Sequence, residues 1–312
     1  MKYLATIILA TSILSAHAGT VEKINRHIWI HGSEDCATNT DPAIETLRYD
    51  ESSYILRQNK CLDSEAPFIY VLFGEHTVFV QDTGATEDAG QFPLYETLQR
   101  LIDSRKQAAP GRELKLLVTH SHGHRDHTAG DSQFRGKPGV TLVEPGAPSI
   151  QKYFGFTDWP NGTATVDLGG RKLTVFPLPG HKEDSIAVYD PHTRWLLSGD
   201  TFYPGRLYIR EWDSYRASIA RLVDFSKTHR ISALMGTHIE MSRTPGQDYP
   251  MGSSYQPEEA GLALLPEDLL LLDATLSEIG NEPEKRVMNK FIVRPVSKIE
   301  KMLTWVAKRL RL

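Results

Sequence analysis

The clearest pattern in the chain is a pair of apolar runs joined by a polar turn. Phe68 to Phe73 leads into Gly74-Glu75-His76 and then Thr77 to Gln81. This predicts a β-hairpin, with Asp82-Thr83-Gly84 closing its second strand. Upstream, residues 21–31 alternate loosely and read as an opening strand. Tyr54-Ile55-Leu56 marks another strand inside an otherwise polar stretch from Gly32 to Lys60. Downstream the period changes: Leu94, Leu98, Leu101 and Ile102 recur at helical spacing, so 92–106 is predicted as a helix. Strands follow at Leu114–Thr119 and Val140–Val143. A second hairpin is predicted at Thr163–Leu168 and Lys172–Phe176, and further strands at Ile186–Tyr189, Trp195–Ser198 and Ile231–Met235. Helices are predicted from Thr128-Ala129-Gly130 onward and over 213–229, 266–279 and 296–311. Residues 241–262, rich in Pro, Gly, Tyr and Ser, read as an ordered loop. Strands and helices alternate in two similar halves, which predicts a layered α/β domain with sheets inside and helices outside.

The first residues change the picture of where the protein works. Lys2 is followed by the apolar run Leu4 to Leu14 and by Ala16-His17-Ala18, a small-x-small site. This is the pattern of a secretory signal peptide cleaved after Ala18, so a periplasmic or secreted protein is expected. The run is short for a membrane span, and the alternative is an uncleaved N-terminal anchor. Residues 19–312 suffice for one domain with a full core, with a helical extension from about residue 263. The two cysteines, Cys36 and Cys61, in an exported protein most simply form one disulfide; the alternative is two buried thiols. The net charge is −4 with Lys and Arg spread along the chain, which leaves no nucleic-acid footprint. In the last helix Ile299, Met302, Leu303, Val306 and Leu310 form an apolar stripe. Lys298, Lys301, Lys308, Arg309 and Arg311 flank it. That stripe fits a membrane-surface helix or, more commonly, a helix packed on its own domain with its basic residues solvated.

The candidate chemistry lies in His122-Gly123-His124-Arg125-Asp126-His127, directly after Leu116-Leu117-Val118. Alternation in an extended segment puts His122 and His124 on one side. Asp126 and His127 follow as the chain turns and face a neighbouring point. This suits two metal ions side by side. Imidazole and carboxylate ligands favour zinc, with iron or manganese as lesser options. Further ligands must come from later strand ends, and three residues qualify. His181 follows Phe176 to Gly180, Asp200 follows Trp195 to Gly199, and His238 follows Leu234 to Thr237.

Taken together, Asp82-Thr83-Gly84, the His122–His127 motif, Gly180-His181, Gly199-Asp200 and Gly236-Thr237-His238 resemble the metallo-β-lactamase-fold hydrolases. The resemblance covers residues from about 66 to 240. It implies an αββα sandwich of two mixed β-sheets flanked by helices, with the site at one edge of the sheets. It also implies that His122, His124 and His181 hold one metal and Asp126, His127 and His238 the second. Asp200 would bridge them and Asp82 would orient the ligands. His120 cannot start the motif, because residues 124 and 125 are His and Arg; it reads as a supporting or structural residue. An Asp at 200, where β-lactam-hydrolysing members usually have Cys or Ser, resembles the glyoxalase II, lactonase and phosphodiesterase branches. Many relatives have a Thr-Pro-Gly-type turn after the histidine at 181; here the chain has Lys182-Glu183-Asp184-Ser185.

The expected activity is hydrolysis of a small-molecule ester, thioester or lactone, with two zinc ions acidifying a shared water to a pKa of about 7. Asp126 would orient the attacking hydroxide, and Tyr203 would donate to the developing oxyanion. Lys182 is a candidate for an acidic substrate group or a solvated charge, and the loop around Tyr249, Met251 and Tyr255 is a candidate pocket wall. Alternatives with the same ligands are a β-lactamase or other amidohydrolase, a phosphodiesterase, and a mono-iron oxidoreductase resembling persulfide dioxygenases. Gly-x-Ser-x-Gly is absent, so the usual local sign of a serine hydrolase is missing.

Overall fold

The computed structural model describes residues 19–108, 111 and 113–302. The signal-peptide pattern of residues 1–18 lies outside the described residues, as does the last helix from Leu303 onward. Strands β1 (Ile44–Arg48), β2 (Ser53–Gln58), β3 (Phe68–Phe73), β4 (Thr77–Gln81), β5 (Lys115–Thr119) and β6 (Val140–Leu142) form one six-stranded sheet in that order. The strands β7 (Ala164–Asp167), β8 (Lys172–Pro177), β9 (Ile186–Asp190), β10 (Trp195–Gly199), β12 (Ala233–Gly236) and β13 (Ala263–Leu264) form the second six-stranded sheet, in the order β13-β12-β10-β9-β8-β7. A small third sheet joins β11 (Arg206–Ile209), β15 (Ile292–Pro295) and β14 (Arg286–Val287).

Alternation along β3 shows why the layers form. Phe68, Tyr70 and Leu72 face the second sheet, where they meet Val175, Val188, Trp195 and Leu197. Ile69, Val71 and Phe73 point the other way, onto Leu94, Leu98 and Ile102 of the helix Leu94–Ala108. A strand that is apolar at every position needs cover on both faces, and it receives it. The second sheet is built the same way. Leu196 and Leu234 on its outer face pack on the helices Trp212–Ser226 and Pro266–Ile279 through Tyr215, Ile219, Leu222, Leu269, Leu272 and Leu276. The order is helix, sheet, sheet, helix, the expected αββα sandwich.

Several elements differ from the sequence reading. Residues 19–25 are helical and 26–31 contain no strand. Val21 and Ile24, three apart, are both buried, and the Asn25 side chain bonds both N and O of Ala263 at 2.9 Å. That side chain meets the backbone groups a pairing strand would have satisfied. β1 lies in the stretch read as polar, because Ile44-Glu-Thr-Leu-Arg48 has only two apolar residues, on opposite faces and each only partly buried. The helix Ala147–Phe154, ended by Gly155 in the left-handed region, was not anticipated. The helix after the motif starts at Arg125, so Asp126 and His127 sit inside it. The segment after residue 263 is not solely helical: β13 extends the second sheet, and buried Phe291, Ile292 and Val293 carry β15 alongside β11. Cys36 and Cys61 form a disulfide. No helix among the described residues is long and apolar enough to cross a membrane.

Candidate metal centre

Strand direction brings the candidate ligands to one edge. β4, β5 and β6 run parallel, so Asp82 after β4 and the His122–His127 motif after β5 emerge at the same end. In the second sheet β8 and β10 are each antiparallel to β9, and β10 is parallel to β12. β8, β10 and β12 therefore share a direction and deliver His181, Asp200 and His238 together. Phe68 N donates to Thr237 O at 2.8 Å, which ties the two sheets beside His238.

The ligand atoms fall into two clusters, each within 4.8 Å. In the first, His124 Nδ1 lies 2.8 Å from His122 Nε2 and 3.1 Å from His181 Nε2. Asp200 Oδ2 lies 3.7 Å from His122 Nε2 and 3.6 Å from His181 Nε2. In the second, Asp126 Oδ2 lies 3.0 Å from His127 Nε2 and 3.3 Å from His238 Nε2, which are 3.3 Å apart. Asp200 Oδ1 stands 3.5 and 3.3 Å from those two nitrogens. Tetrahedral zinc with bonds of about 2.0–2.1 Å has ligand–ligand edges of roughly 3.3 Å. Both clusters bracket that value.

The chemistry of the donors fits a cation as well. His181 Nδ1 donates to Tyr208 O and His238 Nδ1 to Glu65 O, each at 2.9 Å. His127 Nδ1 donates to Asp82 Oδ2 at 3.0 Å. Those partners place the proton on Nδ1 and turn an Nε2 lone pair inward. Ring nitrogens this close to one another suit a shared positive ion. Burial holds His122, His124 and His181 below the ordinary imidazole range, His124 at about 3. Burial also opposes charge on His127 and His238, but Asp126, Asp82 and Asp200 around the first, and Asp200 and Asp126 around the second, outweigh it and raise both. Burial acts to raise Asp126 and Asp200, yet the surrounding histidines hold both carboxyls below their usual range. Three imidazoles held neutral, two whose protons a bound cation would displace, and two ionised carboxylates form a set that divalent ions complete.

A supporting layer fixes this geometry. Fully buried Asp82 accepts from Ser121 N at 2.6 Å and Ser121 Oγ at 2.9 Å, besides His127. His120, the extra histidine, is occupied by Asp131 Oδ1 at 2.8 Å. Asp184, also fully buried, accepts from Gly123 N, Gly146 N and Lys182 Nζ at 3.3, 2.9 and 3.0 Å. It thereby pins the backbone between His122 and His124, and it occupies Lys182, the residue considered for an acidic substrate group. Sequence reading missed Asp184, Ser121 and the Glu65 and Tyr208 carbonyls. The carbonyls carry no sequence signal, and the carboxylate acts across 61 residues of chain.

Above the ligand atoms opens a cleft of about 520 Å³. Met251 lines it, as the loop composition suggested, whereas Tyr249 and Tyr255 do not. Tyr203 forms part of the wall, but its hydroxyl reaches Arg206 O at 2.5 Å and Glu240 Oε2 at 3.1 Å. A hydroxyl has one proton, and here it is directed away from the clusters. Tyr203 is therefore a packed wall residue in this arrangement, without the free donor expected from its position after Asp200.

Comparison with known proteins agrees with this geometry. A profile of the metallo-beta-lactamase superfamily matches residues 63–230, more than half of the 312. A hydroxyacylglutathione hydrolase of Chromohalobacter salexigens is 34% identical over 114 residues, covering 34% of this chain and 42% of that enzyme. The match thus spans less than half of that relative's length. The acyl-coenzyme A thioesterases MBLAC2 of Homo sapiens and Bos taurus are 25% and 33% identical over 215 residues, covering 59% of this chain and 74% of each enzyme. With the profile covering the strand ends from Asp82 to Asp200, and His238 closing the second cluster, the chain belongs to the metallo-beta-lactamase superfamily.

Proposed function

We propose that this chain is an exported dinuclear zinc hydrolase acting on an ester, thioester or lactone carbonyl, with thioesters foremost. The observation that carries this reading is Asp200, whose two oxygens face separate clusters, one of His122, His124 and His181 and the other of Asp126, His127 and His238. The relatives named hydroxyacylglutathione hydrolase and acyl-coenzyme A thioesterase support the choice of thioesters. Bound zinc would supply an acidified water and positive charge for the carbonyl oxygen. The residues do the rest. Asp126, at the open side of the site with its side chain 21% exposed, orients the attacking water and accepts its hydrogen bond. Asp82, Tyr208 O and Glu65 O hold the imidazoles in the tautomer that points Nε2 inward. The signal-peptide pattern and the Cys36–Cys61 disulfide support an oxidising compartment outside the cytosol.

The test is elemental analysis together with turnover of an acyl thioester. About two zinc per chain are expected, and His122→Ala is expected to lose metal and to cut turnover by more than about a hundredfold. Full turnover by metal-stripped protein or by His122→Ala would overturn the reading. One iron per chain with oxygen uptake would replace it with the oxidative alternative.

A further inference from the structure

The charged residues around the cleft fall into two kinds. Glu240 is engaged by Arg206 Nη1 at 2.9 Å, and Glu300 by Arg294 Nη2 at 2.6 Å. Arg210 also lines the cleft and is half-buried, yet its guanidinium has no hydrogen-bond or ion-pair partner among the described residues. The remaining stretches of sequence contain no Asp or Glu to supply one. A partly desolvated guanidinium without a counter-charge is unfavourable unless something else brings the anion.

Its placement is fixed relative to the reacting centre. Arg210 N and Glu211 N both donate to Gly180 O at 2.9 Å, one residue before His181. Two residues earlier, Tyr208 O receives His181 Nδ1. The end of β11 is thus fastened to the loop that carries a ligand of the first cluster. At the other end of the cleft Glu65 lines the wall and is fastened through its carbonyl to His238. The cleft is cationic beside His181 and anionic beside His238.

We infer that Arg210 is the specificity-determining residue of this cleft and binds an anionic group, carboxylate or phosphate, of the acyl substrate whose carbonyl lies at the ligand clusters. The inference rests on the hydrolase reading and deepens it by naming the substrate's charge. A guanidinium offers paired donors that match either anion, and its wall position turns the anionic end of the substrate toward His181. Glu65 disfavours the reverse orientation.

The experiment uses the zinc-loaded full chain and acetyl thioesters of three thiols: N-acetylcysteamine, which is uncharged, glutathione, which carries carboxylates, and coenzyme A, which carries phosphates. Wild type is compared with Arg210→Gln and Arg210→Lys. Arg210→Gln is expected to raise KM about 10- to 100-fold for at least one anionic thioester, with kcat and the uncharged substrate unaffected. Arg210→Lys is expected to recover part of the loss. Which anionic thioester responds separates carboxylate from phosphate. Unchanged KM on both anionic thioesters, or an equal loss on the uncharged one, overturns the assignment of Arg210. Absence of turnover on all three by wild type overturns the hydrolase reading and this inference with it.

Discussion

Lys60 is 4% exposed, and its ammonium donates to Ser64 O at 2.8 Å. Burial pushes its pKa from an ordinary 10.5 down to about 8; Arg57 adds to the effect, and Glu259, Glu65 and Glu240 only partly oppose it. Between those two pH values the unfolded chain holds a proton that the native chain lacks, so unfolding free energy rises with pH across the window. Below pH 8 the cost of burying the charge is present in full, and it amounts to roughly 3 kcal/mol. Unfolding free energies from urea titrations at pH 7.5 and pH 10 check this: the gain from the lower to the higher pH should be smaller in Lys60→Met than in wild type by an amount of that order. Equal differences in the two proteins would contradict it. At this scale the sequence pointed to residues beside strand ends. The seven candidate ligands lie together, most of them just after the apolar run that positions them and Asp126 and His127 on the short helix that follows β5. Sequence reading failed for Tyr203, whose hydroxyl orientation depends on Arg206 and Glu240 reaching it in three dimensions, and for Asp184, whose partners Gly123 and Gly146 lie far away in sequence.

At the scale of elements, the turns after the strands decide how well the ligands are aimed. Gly199 ends β10 with φ +53, and a Cβ there would lie 2.7 Å from Ser121 Cβ. Ser121 in turn carries the hydrogen bonds to Asp82, and residue 200 follows immediately. Gly199→Ala therefore combines a disfavoured backbone conformation with a clash between the two ligand-bearing loops. We expect the variant to fold, since β10 keeps its pairing through Trp195, Leu196 and Leu197, but to bind zinc about tenfold more weakly or worse. A metal titration with circular dichroism as the folding control checks it, and wild-type zinc affinity would show that the close approach is unimportant. Elements with a strong single period, such as β3, β4 and the helix Leu94–Ala108, were readable in advance. Residues 21–31 were not, because a short loose alternation is compatible with either period until a partner such as Ala263 is known. β11 and β15 were missed for a related reason: each is brief, and each is stabilised by the other.

For the whole molecule, the Cys36–Cys61 disulfide is the tie between the N-terminal segment and the turn before β3. That turn contains Glu65, whose carbonyl orients His238. Closing a loop with a sequence separation of 25 restricts the unfolded chain by an amount worth about 3–4 kcal/mol in the chain-entropy account. Reduction, or Cys36→Ser with Cys61→Ser, should lower the melting temperature measurably while leaving the two sheets intact. A melting temperature unaffected by full reduction, with both thiols verified free, would show that the tie contributes little.

Sequence alone determined the class of chemistry and the layered α/β fold, because apolar periodicity is local and ligand-type residues at strand ends are visible one strand at a time. It also supplied the expectation of export. Tertiary structure alone decided that three candidate ligands close on each side of Asp200, that Tyr203 is a wall, that Asp184 secures the motif's backbone, and that Arg210 stands in the cleft without a partner among the described residues. Those are distances and orientations between residues far apart in the chain. They are set by strand direction and sheet packing, which no local pattern encodes.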